Sequence, residues 1–163
     1  MSTMMAEPQR SASFSRCQRY RYQLRRRWID GKGTCVFIGL NPSVADANSD
    51  DPTIRRCMGF ARDWGYRQLL VVNLFAFRTA HPAVLRKADD PVGPNNQRAL
   101  TSACRSADII VAAWGANGSF NDQANKLSKV WKKHILYCFA TTNQGHPVHP
   151  LYQRRDAILK EFN

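Results

Sequence analysis

The sequence predicts a single α/β domain of three layers, in which helices cover both faces of a mainly parallel central sheet. Four short apolar runs are rich in β-branched and aromatic residues, as strands buried on both faces are, and they lie at 34–40, 68–77, 108–115 and 134–141. Helix-like segments separate these runs, and strand–helix alternation is typical of a parallel sheet. A chain of 163 residues is long enough to bury one such core.

The chain before the first apolar run divides into a tail and a strand. Residues 1–15 are polar and Ser-rich, which predicts a flexible tail ahead of a domain over 16–163. The residues that follow alternate between apolar side chains and arginines, the pattern of a half-exposed strand. One face holds Tyr20, Tyr22 and Leu24, and the other holds Arg19, Arg21 and Arg25. Because Asp30-Gly31 is a turn signal, we expect this strand to form an antiparallel hairpin with the strand at 34–40.

The segments between the strands have helical spacing. The first, 51–65, repeats apolar residues at helical intervals and stops at Gly65. We expect further helices at 93–107 and 121–134, and a fourth in the C-terminal segment 152–162.

The charge of the chain indicates a polyanionic partner. Lys and Arg outnumber Asp and Glu by 24 to 12, which gives a net charge of +12, and the arginines cluster. The abundant polyanions of the cytosol are nucleic acids, so we expect a nucleic acid, DNA rather than RNA, or a nucleotide as partner. No stretch approaches the roughly 20 apolar residues of a membrane helix, and the N-terminus has no apolar signal region. These features favour a cytoplasmic protein without a membrane partner.

The cysteines are scattered along the chain and include no C-x-x-C pair; they are Cys17, Cys35, Cys57, Cys104 and Cys138. This spacing argues against a disulfide framework and against a zinc or iron–sulfur cluster. No P-loop and no dinucleotide-binding glycine motif is present. We therefore expect neither a metal nor a cofactor.

Polar and aromatic side chains gather at the ends of the predicted strands, where open α/β sheets bind their ligands. The candidates are Asn41 and Ser43 after the first strand, Asn73, Phe75, Phe77 and Arg78 on the second, Trp114 on the third, and His149 after the fourth. Asn41 before Pro42 also fits a simple turn. Asn73 is harder to explain in that way, because an amide inside an apolar strand needs hydrogen-bond partners.

These strand ends resemble the motifs of the uracil-DNA glycosylase superfamily. The matching stretches are Gly-Leu-Asn-Pro-Ser (39–43), Val-Val-Asn (71–73), Ala-Ala-Trp-Gly (112–115) and His-Pro-Leu-Tyr (149–152). The resemblance implies a glycosylase-like fold. It also implies that Asn41 positions the hydrolytic water, that Asn73 reads an extruded base, and that His149 stabilises the leaving base.

A longer part of the chain, about residues 14–155, is similar to the DUF1643 family of bacterial and phage proteins. The stretches that carry this similarity are GLNPSVADANSDDPTIRRC, NLFAFR, DDPVGPNN and GHPVHPLY. The phage members of the family suit a modified base as substrate rather than plain uracil.

The residue types fit the cleavage of an N-glycosidic bond. The reaction produces an oxocarbenium-like sugar and an anionic base, so a hydrogen-bond donor such as His149 beside the base lowers the barrier. Asn73 offers one donor and one acceptor to a base edge, and we place Ser43 in the same base-binding set. Phe75 or Phe77 would stack on the extruded base, a contact worth about 1–3 kcal/mol.

Position 41 carries asparagine rather than aspartate, and an asparagine orients water without acting as a strong base. We expect the missing carboxylate to come from the following loop, and we assign it to Asp46, with Asp50 and Asp51 as alternatives. Asp51 also suits the N-cap of the helix at 51–65, with Pro52 as its first residue.

Five arginines are predicted to contact phosphate or nucleic acid: Arg21, Arg25, Arg55, Arg56 and Arg78. Arg55 and Arg56 lie one turn inside a helix, and a helix N-terminus with arginines is an anion site. They can equally pair with the acidic residues just upstream.

The sequence therefore favours a base-processing enzyme, a glycosylase-like hydrolase that acts on a modified or mismatched base extruded into a pocket at the strand ends. Two alternatives stay open. One is a non-catalytic module that binds a base or nucleotide, and the other is a hydrolase of free nucleosides or nucleotides. The salt dependence of binding separates a polyanionic ligand from a small one.

Overall fold

The computed structural model of the protein describes residues 7–162. The strands are β1 (Gln9–Phe14), β2 (Arg21–Arg27), β3 (Thr34–Gly39), β4 (Gln68–Asn73), β5 (Ile109–Ala112), β6 (Leu136–Cys138) and β7 (Lys160–Phe162). The α-helices are α1 (Pro52–Asp63), α2 (Pro82–Lys87), α3 (Asn96–Ser106) and α4 (Gln123–Trp131). Within the described range all seven strands form one sheet in the order β1-β2-β4-β3-β5-β6-β7.

The mixed α/β class is confirmed, but the sheet is not mainly parallel. β3 runs parallel to β4 and to β5, and β5 runs parallel to β6. The outer pairs, β1 with β2, β2 with β4, and β6 with β7, are antiparallel. The connections between the inner strands contain α-helices, and such a crossover allows the next strand to run parallel. The β1–β2 and β6–β7 connections contain no α-helix, and these strand pairs are antiparallel.

The helices cover both faces of the sheet because alternate residues of the inner strands point to opposite sides. Val36 and Ile38 of β3 pack in one cluster with residues of α3 and α4. Cys35 and Phe37 pack in the other cluster, with Ile54 and other residues of α1. The helices predicted at 51–65, 93–107 and 121–134 are thus confirmed, with slightly shorter bounds, and α2 is an addition to them.

The N-terminal part of the sheet differs from the prediction. β4 lies between β2 and β3, so the predicted hairpin of those two strands is wrong. β2 pairs with β1 instead, which means that residues 9–14 of the predicted flexible tail form an edge strand. An ion pair holds this strand to the rest of the molecule, because Arg10 Nη2 lies 3.1 Å from Asp50 Oδ2. The tail prediction for residues 1–6 lies outside the described residues.

The predicted helix at 152–162 is also wrong. A single 3-10 turn spans Pro150–Tyr152, and the chain then reaches β7, where Phe162 pairs with Leu136. The Phe162 ring meets the Trp114 ring edge-on, with 5.5 Å between ring centroids. This aromatic contact, distant in sequence, stabilises a strand where the local pattern indicates a helix.

A buried arginine fixes the loop between β3 and α1. Arg26 has no exposed side-chain surface, and its Nε donates to Asp50 Oδ1 at 2.7 Å. Its Nη2 donates to the carbonyls of Asp46 and Ser49 at 2.6 and 3.0 Å. Residues 45–51, which we call the 45–51 loop, are therefore held from inside the protein. None of the helices in residues 7–162 is long and apolar enough to cross a membrane.

Candidate functional site

A cavity of about 410 Å³ opens at the carboxyl ends of the parallel strands β3, β4 and β5. Strand-end residues line it, together with residues of α1 and with His149 and Pro150 at the start of the Pro150–Tyr152 turn. Five of the strand-end candidates line this cavity together: Asn41, Ser43, Asn73, Trp114 and His149. The predicted convergence of these strand ends is therefore observed.

Asn73, the last residue of β4, is buried, with 3% of its surface exposed. Its Nδ2 is buried and has no hydrogen-bond partner among the described residues. Its Oδ1 faces Gly39, where a Cβ would lie only 2.7 Å away, so a glycine is needed beside it. An unpartnered buried amide is costly, and a ligand in the cavity that accepts from Nδ2 would remove that cost.

Two buried amides on the helices hold the end of β4 in place. Asn96 Nδ2 donates to the carbonyls of Asn73 and Leu74 at 2.9 and 3.1 Å. Gln123 Nε2 donates to the same Leu74 carbonyl at 3.1 Å. We did not predict either residue from the sequence, although each places an amide on the apolar face of its helix.

Asn41 uses its amide nitrogen to hold the neighbouring backbone. Nδ2 donates to the carbonyls of Pro42, Phe77 and Thr79 at 3.1, 3.3 and 2.8 Å. This orientation leaves Oδ1 as an acceptor for a water or ligand group in the cavity. An aspartate here would set a negative oxygen against three carbonyls, which explains the asparagine.

We expect Asn41→Asp to lower the free energy of unfolding by about 1–3 kcal/mol, because three carbonyls lose their donor. Urea denaturation measures this loss. Asn143→Asp, at an exposed loop position, is the matched control and should leave the denaturation midpoint close to that of the wild type. Equal midpoints for the two variants would contradict the assignment of these hydrogen bonds.

His149 precedes the 3-10 turn and is half-buried. Its Nδ1 accepts from the backbone N–H of Leu151 at 3.2 Å, so the neutral ring carries its proton on Nε2. Burial lowers the pKa of His149, although the negative charge of Asp51 opposes this shift. At neutral pH the cavity is thus lined by a neutral imidazole whose Nε2–H is a hydrogen-bond donor.

Asp51 contributes a carboxylate to the cavity. It is the N-cap of α1, where Oδ1 accepts from the Ile54 N–H at 2.8 Å and Pro52 is the first helical residue, as the sequence predicts. Its second oxygen forms no hydrogen bond within residues 7–162. One side chain therefore both caps the helix and presents a carboxylate oxygen to the cavity.

Comparison with known proteins agrees with the closer resemblance. A protein-family model described as "Protein of unknown function (DUF1643)" matches residues 21–151. The chain belongs to the DUF1643 family. All residues that line the cavity of this DUF1643 protein lie within the matched range. No curated protein and no solved structure matches the chain.

Asp46, the predicted catalytic carboxylate, does not line the cavity of the DUF1643 protein. Its Oδ1 accepts from the backbone N–H groups of Asn48 and Ser49, both at 2.8 Å, and from the Ser49 hydroxyl at 3.0 Å. The hydrogen bond from Asn48, followed by those from Ser49, lowers the pKa of Asp46. The assignment is corrected accordingly, because this carboxylate shapes its own loop.

The predicted stacking residues are also outside the cavity. Phe75 is fully buried in the core, 5.4 Å from the ring of Phe120, and Phe77 packs against Tyr20 at 6.0 Å. The backbone after β4 bonds to the end of β3, which directs these rings away. Aromatic walls come instead from Trp114 and Phe37.

Three of the predicted phosphate-binding arginines have partners elsewhere. Arg55 Nη1 donates to the Asp50 carbonyl at 3.0 Å, and Arg56 donates to the Gln153 carbonyl and lies over the Phe60 ring. Arg78 donates to the Gln18 carbonyl and lies over the Phe14 ring. Arg55 thus holds the backbone of the 45–51 loop and Arg56 holds the segment after the 3-10 turn, but within residues 7–162 neither forms the alternative ion pair with an acidic side chain just upstream. Arg25 is exposed on β2 and does not line the cavity.

Arg21 is the predicted arginine that does line the cavity. It is 2% exposed, so its predicted place on a solvent-facing side of the strand is wrong. The pairing of β1 with β2 shifts register between Ser13 and Phe14, opposite Arg21. There the backbone N–H of Arg21 bonds to the Ala76 carbonyl at 3.0 Å, beyond the end of β4. Burial lowers the pKa of Arg21 to about 10, against the opposing effect of Asp51.

The remaining titratable group of the cavity is the Cys57 thiol, and burial raises its pKa. The thiol is therefore protonated and behaves as a small apolar side chain. Within residues 7–162, no three side chains of His, Cys, Asp or Glu lie close enough together to hold a metal ion.

Proposed function

We propose that this DUF1643 protein is a glycosylase-like hydrolase that cleaves the N-glycosidic bond of a nucleotide whose base enters the cavity. The observation that carries the proposal is the convergence of Asn41, Asn73 and His149 in one cavity at the strand ends. The resemblance to the uracil-DNA glycosylase superfamily gives these positions a role in orienting water, reading the base and stabilising the leaving base. The cavity volume of about 410 Å³ lies in the range of small-ligand sites, about 300–1,000 Å³.

Asn73 supplies base recognition in this proposal. Its unpartnered Nδ2 is a donor and its Oδ1 an acceptor, so it matches a base edge that carries an acceptor next to a donor. Asn96 and Gln123 fix the backbone that carries this amide, which makes the direction of its hydrogen bonds specific. The ring of Trp114, stacked on Trp131 with 5.4 Å between centroids, offers an apolar wall to the base.

His149, Asp51 and Asn41 supply the chemistry. The bond between C1′ of the sugar and the base nitrogen breaks, and its electron pair leaves with the base. The Nε2–H of His149 donates a hydrogen bond to the base anion. A water held by Asn41 Oδ1 forms the new bond to C1′ and transfers its proton to Asp51, which later returns it through solvent to the base. The products are a free base and a sugar with a hydroxyl at C1′.

The substrate proposed for this reaction is a modified or mismatched base in DNA. The net charge of +12 supports a polyanionic partner. Arg25, exposed on β2 outside the cavity, is available to contact phosphates.

Base release tests the proposal. The protein is incubated with single- and double-stranded DNA and RNA oligonucleotides that carry uracil, hypoxanthine or bulky modified pyrimidines, and freed bases are identified by mass spectrometry. We expect release from at least one substrate. Asn73→Ala and His149→Ala should each lower its rate by about 10²–10³-fold, as the loss of one transition-state donor does. Asn143→Ala, at an exposed loop position, should not change it.

Failure to release any base would contradict the hydrolase. If the protein then still bound these oligonucleotides tightly, and less tightly with added salt, the non-catalytic recognition module would be the better description.

A further inference from the structure

Arg21 is a buried cation inside the cavity without an anion in contact. Among the described residues its side chain forms one hydrogen bond, from Nη1 to the Ala45 carbonyl at 3.0 Å. Its Nε is buried and unpartnered. A guanidinium carries five N–H donors, and a buried charge is costly unless an anion satisfies it.

The charged neighbours of Arg21 do not satisfy it. Asp51 shares the cavity and favours the charged guanidinium, but none of the ion pairs within residues 7–162 joins the two. Arg26 is already paired with Asp50, and the charges of Arg26 and Arg78 both oppose that of Arg21. An incoming anion would therefore meet an unpaired donor group in a positive local field.

Arg21 and Asn73 lie on neighbouring strands at the same end of the sheet. β2 runs antiparallel to β4, so the start of β2 lies near the end of β4, and the Arg21 N–H bonds to the Ala76 carbonyl just beyond that end. Both side chains line the one cavity, and both carry a buried nitrogen without a partner. A single ligand can reach both if it carries a base and an anionic group.

We propose that Arg21 binds a phosphate of the ligand, so that the cavity takes a nucleotide with its phosphate rather than a base alone. The inference rests on the proposed function for the base, whereas the phosphate contact rests on Arg21 itself. The planar guanidinium matches the oxygens of a phosphate with two parallel hydrogen bonds. The phosphate belongs either to a free nucleoside monophosphate or to a nucleotide of a DNA strand.

Calorimetric titration of matched probes tests this contact. The probes are the four deoxynucleoside 5′-monophosphates, the four corresponding nucleosides, and a single-stranded DNA 12-mer of mixed sequence. For the wild type, we expect a phosphate-bearing probe to bind about ten- to a hundredfold more tightly than its nucleoside, as a charge-assisted hydrogen-bond pair does. Arg21→Met should abolish this difference. Arg21→Lys should retain part of it, because lysine keeps the charge without the planar fork.

Arg27→Met is the matched control, because Arg27 is exposed on the same strand and lies outside the cavity. It should keep the preference for phosphate. Thermal unfolding without ligand provides a second readout. Arg21→Met should keep or raise the Tm, since it removes an unpaired buried charge, whereas a purely structural arginine would lower the Tm on removal.

The outcomes of this titration distinguish the phosphate contact of Arg21 from the proposed hydrolase activity. Binding of monophosphates that Arg21→Met weakens indicates a free nucleotide, and binding of the 12-mer alone that Arg21→Met weakens indicates a strand phosphate; both support the contact. Phosphate-dependent binding that Arg21→Met leaves unchanged, no binding of any probe, or equal affinity for monophosphates and nucleosides together with 12-mer binding that does not depend on Arg21 would overturn it. Phosphate-dependent binding without base release refutes only the hydrolase, and base release without a phosphate preference refutes only the Arg21 contact.

Discussion

Asp51→Asn is expected to slow base release by about a hundred- to ten-thousandfold, because it removes the carboxylate that accepts the proton of water. The change should spare the fold, since asparagine caps a helix about as well as aspartate does. Single-turnover release from the oligonucleotide identified in the base-release assay measures the effect. Far-UV circular dichroism checks that the helices persist.

Asp46→Asn is the matched control for Asp51→Asn. Its carboxylate lies five residues upstream in the same loop but outside the cavity, and an asparagine oxygen can still accept from Asn48 and Ser49. We expect nearly wild-type release from this variant. A slow Asp46→Asn protein beside a normal Asp51→Asn protein would reverse the assignment of the two acids.

Asp50→Ala is expected to lower the free energy of unfolding by about 3–5 kcal/mol, the cost of leaving a buried charge unpaired. The charge is that of Arg26, which is fully buried, while the Asp50 side chain is 11% exposed. The double variant Arg26→Met with Asp50→Ala should recover part of the loss, because neither charge remains although the carbonyls of Asp46 and Ser49 lose their donor. Urea denaturation of the two single variants and the double variant measures the coupling.

Asp156→Ala is the control for this cycle, because it breaks an exposed ion pair with Arg154 and should change stability little. Equal effects of Asp50→Ala and Asp156→Ala would contradict the importance of the buried pair.

The contribution of Asp50 to the free energy of unfolding should also depend on pH. Burial alone would raise the pKa of Asp50, but the hydrogen bonds from Arg26 and Arg10 outweigh it and hold the pKa below its usual value. The stabilisation is therefore complete above about pH 4, the range of an unfolded aspartate, and is lost as the pH falls through the lower folded value. Asp50→Ala should accordingly be less sensitive to acid than the wild type.

The strand-end residues of the site were predictable because they follow continuous apolar runs, and strand direction alone brings those ends together. The place of Asn73 at the end of its strand was enough to predict that it belongs to the site. The choice between Asp46 and Asp51 was not predictable in the same way. Both acids lie in one loop, and whether each faces the cavity depends on Arg26, a residue from a strand that precedes the loop by about twenty positions.

The errors at Phe75 and Arg21 have a common physical cause. The prediction for Phe75 treated 68–77 as one strand, and the prediction for Arg21 extended a two-residue alternation, so both assumed regular strand geometry where the backbone departs from it. After Asn73 the chain bonds to the carbonyls of Gly39 and Leu40, and between Arg21 and Gln23 the pairing with β1 changes register. Such irregularities arise from non-local pairing, which one-dimensional periodicity does not encode.

The edge strand β1 was missed for a related reason. Four of its six residues are polar, and an exposed edge position tolerates that composition. Its anchor, the contact of Arg10 with Asp50, joins residues forty positions apart.

The hydrogen bonds from Arg26 to the 45–51 loop restrict the motion of this loop when a ligand enters the cavity. A loop tied to a fully buried guanidinium cannot swing as a lid without exposing that charge, so its backbone amides should exchange with deuterium only slowly. Asp51, the residue of this loop that lines the cavity, is thus held in position before a ligand arrives. Little ordering entropy is lost there on binding, and more of the free energy of each contact is retained as affinity.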